Sequence, residues 1–169
     1  MHQPMYVASV PVFKQLLGGL SGVLTKAAEH AAARKIDPPA LLQARLFPDM
    51  VPLLRQVQIA TDFARSVAAR LAGVEVPSAP DTEHSFEELQ LRLAGTVAFL
   101  DSLDPAAFEG SEGREIVLRP GTPKERTLSG QAYLLSYGLP QFFFHITTAY
   151  ALLRHSGVEI GKRDYMGNY

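Results

Sequence analysis

The chain of 169 residues contains no cysteine and no tryptophan, and it carries no excess of charge of either sign. The absence of cysteine excludes disulfide scaffolds, thiolate metal sites and cysteine nucleophiles. The 16 Lys and Arg residues are matched by 17 Asp and Glu residues, for a formal net charge of −1. We therefore expect neither a basic surface for nucleic acid nor a polybasic segment for an anionic membrane.

We expect neither a leader segment nor an internal repeat. Residues 1–7 do not show a basic stretch followed by an apolar one, and we find no apolar run that approaches the length of a bilayer span. A cytoplasmic protein is therefore expected. The length fits one domain, residues 1–169, that buries a single core without disulfide or metal staples.

The first helix is expected from about Met5 to Arg34, where apolar residues recur three and four positions apart. Glycines stand at positions 18, 19 and 22. Each weakens a helix interior by up to about 1 kcal/mol relative to alanine. We interpret these glycines as sites where another backbone approaches closely or where the helix bends.

Two further amphipathic helices follow. The second is expected to begin at Asp49, acting as an N-cap, and to stop at Gly73. The third begins at a capping-box pattern, in which the side chains of Ser85 and Glu88 satisfy each other's backbone N–H groups. Asp104-Pro105 is expected to end it.

The periodicity changes between the third helix and the last. Residues 114–118 and 125–128 are short, β-prone and separated by a segment rich in turn residues, which predicts a small β-hairpin. A hairpin is marginal in water by itself, so this one must pack on the helices. Residues 158–169 mix aromatic and charged side chains, and we expect an extended tail that docks on the bundle.

The most apolar and aromatic long segment runs from Ser129 to Gly157 and predicts the last helix, with Ser129 as its N-cap and Gly157 as its stop. Its apolar residues cover nearly the whole circumference, which indicates burial in a bundle core or in an oligomer interface. Pro140 removes a backbone hydrogen bond, so a kink is expected near Ser136 to Pro140. Four amphipathic helices with one hairpin before the last predict an all-α bundle, and we expect a homodimer.

Polar residues in two of these helices are candidates for a site. Gln58, Asp62 and Arg65 lie three or four positions apart and share one stripe of the second helix. A solvated face is the simpler interpretation of that stripe, and a pocket lining is the alternative. His145 follows three phenylalanines, where either a hydrogen-bonded core histidine or a pocket histidine fits. Tyr150 is either a core residue with its hydroxyl bonded or part of the same pocket.

Five stretches resemble a bacterial family of unknown function in the DinB/YfiT-like superfamily, and the resemblance covers essentially the whole chain. The stretches are Leu46–Pro52, Gln56–Gln58, Leu71–Pro77, Phe142–His145 and Ile160–Gly167. The resemblance implies a DinB-like up-down-down-up four-helix bundle, commonly dimeric. It also implies relatives that are metal-dependent and that include thiol-transfer enzymes.

The metal pattern that the resemblance implies is one histidine early in the second helix and two histidines four residues apart in the last helix. The second helix of this chain has no histidine, and Gln56 and Gln58 stand in that region. In the last helix, Gln141 precedes His145 by four residues and Ala149 follows it by four. At most one ligand position carries over, and a carboxamide is a weak ligand for zinc or nickel. No metal cofactor is therefore expected.

Two functional interpretations follow. The first is a homodimeric binding or interaction protein that has lost the metal centre and keeps a polar cleft, for which an unidentified small molecule is a candidate ligand. The alternative is a DinB-like enzyme of the transferase or hydrolase type, using a divalent transition metal in a site remodelled around His145 from Gln141, Gln58 and Asp62. No nucleophile with an adjacent base can be identified in the sequence, so catalytic residues stay unassigned.

Overall fold

The computed structural model describes residues 3–169, which fold around four long helices. In chain order the helices are α1 (Pro4–Val7), α2 (Val10–Arg34), α3 (Pro38–Leu42), α4 (Leu53–Ala72), α5 (Phe86–Asp101), α6 (Gly130–Tyr133), α7 (Leu139–His155) and α8 (Lys162–Met166). The remaining elements are a 3-10 turn (Pro105–Phe108), strands β1 (Glu115–Leu118) and β2 (Arg126–Ser129), and a π-helical segment (Leu134–Gly138).

Helix α4 packs along α7 and α5, and α2 closes the bundle against α5, α7 and α8. Apolar side chains from all four long helices form one core. Phe13 of α2 and Phe142 of α7 meet there edge to face, with ring centroids 4.7 Å apart. Full burial of such a side chain stabilises the fold by roughly 1.5–3 kcal/mol. The predicted helical fold with one small hairpin before the last long helix is confirmed.

The first helical region is interrupted rather than continuous. The chain leaves the helix at Ala8 and Ser9, where the Ser9 hydroxyl donates to the Met5 carbonyl oxygen at 2.6 Å. Pro11 lacks an N–H, so it cannot continue the backbone hydrogen bonds across this point. The expectation of one unbroken helix from Met5 is therefore wrong, because the helix is interrupted between Val7 and Val10.

Contrary to the expectation that no apolar run approaches the length of a bilayer span, the segment Pro4–Arg34 is long and apolar enough, by length and composition, to cross a bilayer. Half of its most apolar part is buried inside the bundle. A core helix that is apolar over much of its surface has the same composition as a membrane span.

The second long helix begins at Leu53, three residues later than an N-cap at Asp49 would place it. Asp49 is exposed and does not cap it, and the N-cap position belongs to Pro52 with an extended ψ of 167°. Val51 precedes that proline, and the proline ring disfavours a helical conformation for the residue before it. The predicted stop is confirmed, because Gly73 adopts a left-handed φ of 71°.

The cap of α5 is confirmed at Ser85, whose hydroxyl accepts the Glu88 N–H at 3.1 Å. The return bond differs from the predicted capping box, because the Glu88 carboxylate accepts from the backbone N–H of His84 instead of Ser85. Helix α5 ends at Asp101. The Asp104 carboxylate caps the following 3-10 turn by accepting the Ala106 N–H at 2.9 Å.

The last long helix is capped as predicted, since the Ser129 hydroxyl accepts the Ala132 N–H at 3.3 Å and Gly157 adopts a φ of 92°. In the region of the expected kink, the helix widens into the π-helical segment Leu134–Gly138. Pro140 cannot donate to the carbonyl one turn before it, and a π turn next to a proline is a common way to accommodate that loss.

The hairpin pairs Glu115 with Ser129 and Leu118 with Arg126 in antiparallel register, as predicted. The C-terminal tail docks on the bundle, but residues Lys162–Met166 are helical rather than extended. Helix α8 packs on α2 at Gly19, where a Cβ atom would lie 2.5 Å from the Tyr165 carbonyl oxygen. The interpretation of Gly19 as a site of close backbone approach is therefore confirmed.

We predict that Gly19→Ala displaces α8 and lowers the free energy of unfolding, because the new methyl group overlaps backbone. Gly18→Ala is the matched control, since nothing lies within 4 Å of a Cβ there. It should leave stability unchanged or raise it by up to about 1 kcal/mol. Urea denaturation measures stability, and hydrogen exchange at residues 162–166 measures release of α8. Equal hydrogen-exchange rates at residues 162–166 in Gly19→Ala and Gly18→Ala would contradict the packing of α8 on Gly19.

Candidate functional site

Gln56 on α4 and His145 on α7 form a side-chain pair across the most extensive helix contact of the bundle. Nδ1 of His145 lies 2.7 Å from Oε1 of Gln56. The amide nitrogen of Gln56 donates to the Val51 carbonyl oxygen at 3.2 Å. That bond orients the amide so that its oxygen faces His145, and Nδ1 therefore carries the proton. Within residues 3–169, Nε2 of His145 forms no hydrogen bond and keeps its lone pair.

The His145 ring is half-buried among aromatic side chains. Phe63 stacks on it with centroids 6.0 Å apart, and Phe144 meets it edge to face at 5.2 Å. Burial lowers the pKa of His145 below its usual 6.5, and the positive charge of Arg55 lowers it further. The ring is therefore neutral at pH 7, with Nε2 able to accept a hydrogen bond or to donate its lone pair to a metal ion.

A second polar group surrounds Arg92 of α5, whose side chain is only 3% exposed. Its Nε donates to the Thr61 hydroxyl at 2.7 Å. The two terminal nitrogens donate to Glu83 at 3.0 Å, to the Pro80 carbonyl oxygen at 3.1 Å and to Asp62 at 2.7 Å. This guanidinium therefore ties the loop between α4 and α5 to the side of α4.

Gln58 belongs to this second group. It is buried, its amide nitrogen donates to Glu83 at 2.8 Å, and its amide oxygen accepts from Arg55 at 3.3 Å. Burial raises the pKa of Glu83, but hydrogen bonds from Gln58 and Arg92 outweigh burial, and the net pKa lies below 4.5. Gln58 therefore serves the loop contacts and does not partner His145.

The ions of this group balance one another. Three arginines at positions 55, 65 and 92 meet three carboxylates at positions 62, 81 and 83. Asp62 accepts from both Arg65 and Arg92, and Nε of Arg65 is buried without an acceptor among the residues described. Gln58 and Arg65 are buried, so the interpretation of their stripe as a solvated face is wrong.

The five candidate site residues therefore do not form one cluster. His145 pairs with Gln56, and Gln58 and Asp62 join Arg92. Tyr150 packs edge to face against Tyr165 of α8, with centroids 5.8 Å apart. Gln141 is half-buried on α7, and the amide that meets His145 is that of Gln56.

Sequence reasoning did not select Gln56, Glu83 or Arg92 as site residues. Gln56 lies with Gln58 in the region where the family resemblance implies a histidine, but nothing in the sequence favoured it over Gln58, and Glu83 carried no signal. Arg92 did carry one, because it lies on the face of α5 that also presents Leu89 and Thr96, three and four positions away. A cation on a buried helix face requires buried acceptors.

The donor set around His145 does not fit a metal centre of three imidazoles. Both polar atoms of the Gln56 side chain are already used, one by His145 and the other by Val51. Across residues 3–169, His, Asp and Glu side chains do not gather in groups of three that could hold a metal ion. His145 is not among the residues that line five depressions of the described surface, which have volumes of about 420 to 670 Å³.

Residues 5–166 match the profile of a family described as Domain of unknown function (DUF1993). The crystal structure of a DinB family member protein from Shewanella denitrificans superposes on this chain with a TM-score of 0.93 and 37% sequence identity. The match covers 99% of this chain and 94% of that one. No curated protein matches the chain.

We predict that His145 makes stability depend on pH in a defined window. Its pKa is lowered by folding, so the folded state binds fewer protons than the unfolded state as pH falls below 6.5. The stability it contributes is therefore complete above pH 6.5 and is lost as pH falls through the folded pKa. His145→Gln should lack this component when urea midpoints at pH 7.5 and pH 5 are compared.

His84→Gln is the control, because His84 is exposed in the loop before α5. Its pH dependence should match that of the unmodified protein. If His145→Gln shows the same loss of stability at acid pH as the unmodified protein, His145 is not held neutral by the fold.

Proposed function

Because the chain belongs to the DUF1993 family, a domain of unknown function within the DinB-like superfamily, we propose that it is a binding or interaction protein without that superfamily's three-histidine metal centre. The observation that supports this most is the hydrogen bond between Gln56 Oε1 and His145 Nδ1. An amide at this place orients one imidazole and adds no strong metal ligand.

The chemistry left to His145 is that of a hydrogen-bond acceptor. The His145 ring is neutral at pH 7, so its Nε2 can accept a hydrogen bond. The rings of Phe63 and Phe144 provide apolar contact on two sides. Such a site suits a small molecule that donates one hydrogen bond from a hydroxyl or amide group and packs an apolar part against these rings. The carboxylates nearby are already neutralised by arginines, so they do not select for a cation.

The surface beside this site supports a homodimer. Phe144 is 55% exposed next to His145, and Phe47 is 65% exposed in the loop that leads to α4. Val51 of the same loop is also exposed and accepts the hydrogen bond from Gln56. Large apolar side chains that stay exposed are candidates for an interface, and a second copy of the chain is the proposed cover. The chain has a net charge of −1, and we propose that it has no nucleic-acid or membrane partner. We also propose that the protein is cytoplasmic.

The alternative function is a DinB-like metalloenzyme of the transferase or hydrolase type. One observation favours it, namely that a neutral Nε2 with a fixed tautomer is also a good metal ligand or general base. A metal bound there would need its other donors from a substrate, from solvent or from a second copy.

Elemental analysis of untagged protein, combined with light scattering of the same preparation, tests the proposal. We expect far less than one equivalent of zinc, nickel or manganese per chain after dialysis, and a mass twice the 18.5 kDa of one chain. His145→Ala should leave the metal content unchanged.

One equivalent of metal that resists dialysis and disappears in His145→Ala would establish the metalloenzyme instead. A monomer mass at micromolar concentration would contradict the homodimer and leave the metal question to the elemental analysis.

A further inference from the structure

The β-hairpin covers a depression of about 560 Å³ between itself and the π-helical segment, which we call the hairpin pocket. Its lining is of two kinds. The apolar part consists of Leu118, Leu128 and the ring of Tyr137, and the cationic part consists of Arg119, Lys124 and Arg126. The pocket is well separated in sequence from α4 and α5, which carry the Arg92 contacts.

The three cations of the hairpin pocket are not neutralised by the protein. Within residues 3–169, Arg119, Lys124 and Arg126 form no ion pair with an acidic side chain. The single acid in the lining, Glu125, has its carboxylate turned to the backbone N–H of Gly121 at 2.6 Å. Three cations therefore face one carboxylate, in a chain whose total charge is −1.

The depression of about 500 Å³ beside α8 differs in part. It is lined by Lys14, Lys26 and Arg163, and its two lysines are paired with Asp101 and Asp164. Positive charge without a partner raises the local concentration of anions in a concave site with apolar walls. A depression of about 550 Å³ at the C-terminus also combines cations without ion pairs among the described residues, Lys162 and Arg163, with Met166 and Tyr169. The hairpin pocket brings three such cations together with apolar side chains.

The backbone around the hairpin pocket also departs from regular geometry on both sides. Arg119 has a φ of 52°, a left-handed conformation that is uncommon for a residue other than glycine. Ser136 and Tyr137 reach the lining from the π-helical segment, and π turns inside helices occur frequently at functional sites. This segment is held against α4 because Gly138 lacks a side chain where Val67 approaches a Cβ position to 2.7 Å.

We propose that the hairpin pocket binds a small anionic amphiphile. A carboxylate or a phosphate monoester would lie among Arg119, Lys124 and Arg126, and a short apolar chain would lie against Leu118 and Tyr137. Arginine and lysine donors give charge-assisted hydrogen bonds to such groups, and the leucine and tyrosine surfaces bury the apolar part. The rings of Tyr137 and Phe63 stand between this pocket and His145.

The proposal is tested by titrating the ¹⁵N-labelled full chain with hexanoate, hexyl phosphate and the neutral hexanol, and following backbone amide shifts. We expect saturable shifts at residues 118–128 and 136–137 with both anions, and at least about tenfold weaker binding of hexanol, the factor that corresponds to one charge-assisted contact of about 1.4 kcal/mol. A double variant, Lys124→Gln with Arg126→Gln, should weaken both anions by at least about tenfold.

A second double variant, Arg34→Gln with Arg154→Gln, is the matched control, because it changes net charge equally at exposed positions outside the hairpin. It should bind like the unmodified protein, and so should His145→Ala, which keeps this proposal separate from the function proposed for His145.

Equal affinity for hexanol and hexanoate, or shifts that do not saturate at the hairpin, would overturn the proposed anion site. Cosedimentation with phosphatidylserine vesicles without saturable binding of the two soluble anions would also overturn it, in favour of a membrane contact.

Discussion

The buried guanidinium of Arg92 is the constraint on which the polar side of this bundle depends. An arginine cannot lose its charge in a protein, so a fold that buries one must supply acceptors for its donors. Here the acceptors come from three directions: Thr61 and Asp62 on α4, the Pro80 carbonyl oxygen, and the carboxylate of Glu83. Arg92 therefore holds the loop between α4 and α5 against the bundle, and Gln58 and Arg55 add contacts to Glu83 and Asp81.

That arrangement separates the polar residues of α4 into two sets with different consequences. Asp62 accepts from Arg92 and Gln58 donates to Glu83, and the charges there cancel. Gln56 and His145 form the other set, in which one ring nitrogen is left available. Arg55 connects the two, because it pairs with Asp81 and bonds to Gln58 while its charge lowers the pKa of His145. The charges around Arg92 are thus balanced within the protein. The chemistry of the site is left to the available ring nitrogen of His145.

Local signals in the sequence were sufficient for most of the fold. Ser85 and Gly73 act through neighbouring backbone groups, so the cap and the stop could be predicted from a few residues. Asp49 failed as a cap because Pro52, three residues later, restricts the backbone before it. The C-terminal tail was expected to be extended because its five-residue helix is too short to show a periodicity, and α2 supplies much of its packing.

The site could not be predicted in the same way, because its contacts join distant parts of the chain. Gln56 and His145 are separated by 89 positions, and no local pattern favours Gln56 over Gln58 as the partner. Residues two positions apart on a helix face different directions, so only the packing of α4 on α7 selects between the two amides. The same holds for Glu83, which lies in a loop without periodicity and meets Gln58 only after folding.

Order parameters of the loop between α4 and α5 test most directly whether Arg92 holds it. Lysine at this position keeps the charge but cannot reproduce the planar set of donors. In Arg92→Lys, backbone ¹⁵N order parameters at residues 78–84 should fall from rigid values of about 0.85 towards about 0.6, while those of α8 stay unchanged. Unchanged order parameters at residues 78–84 in a folded Arg92→Lys protein would show that the loop is held by other contacts, and the central claim would be wrong.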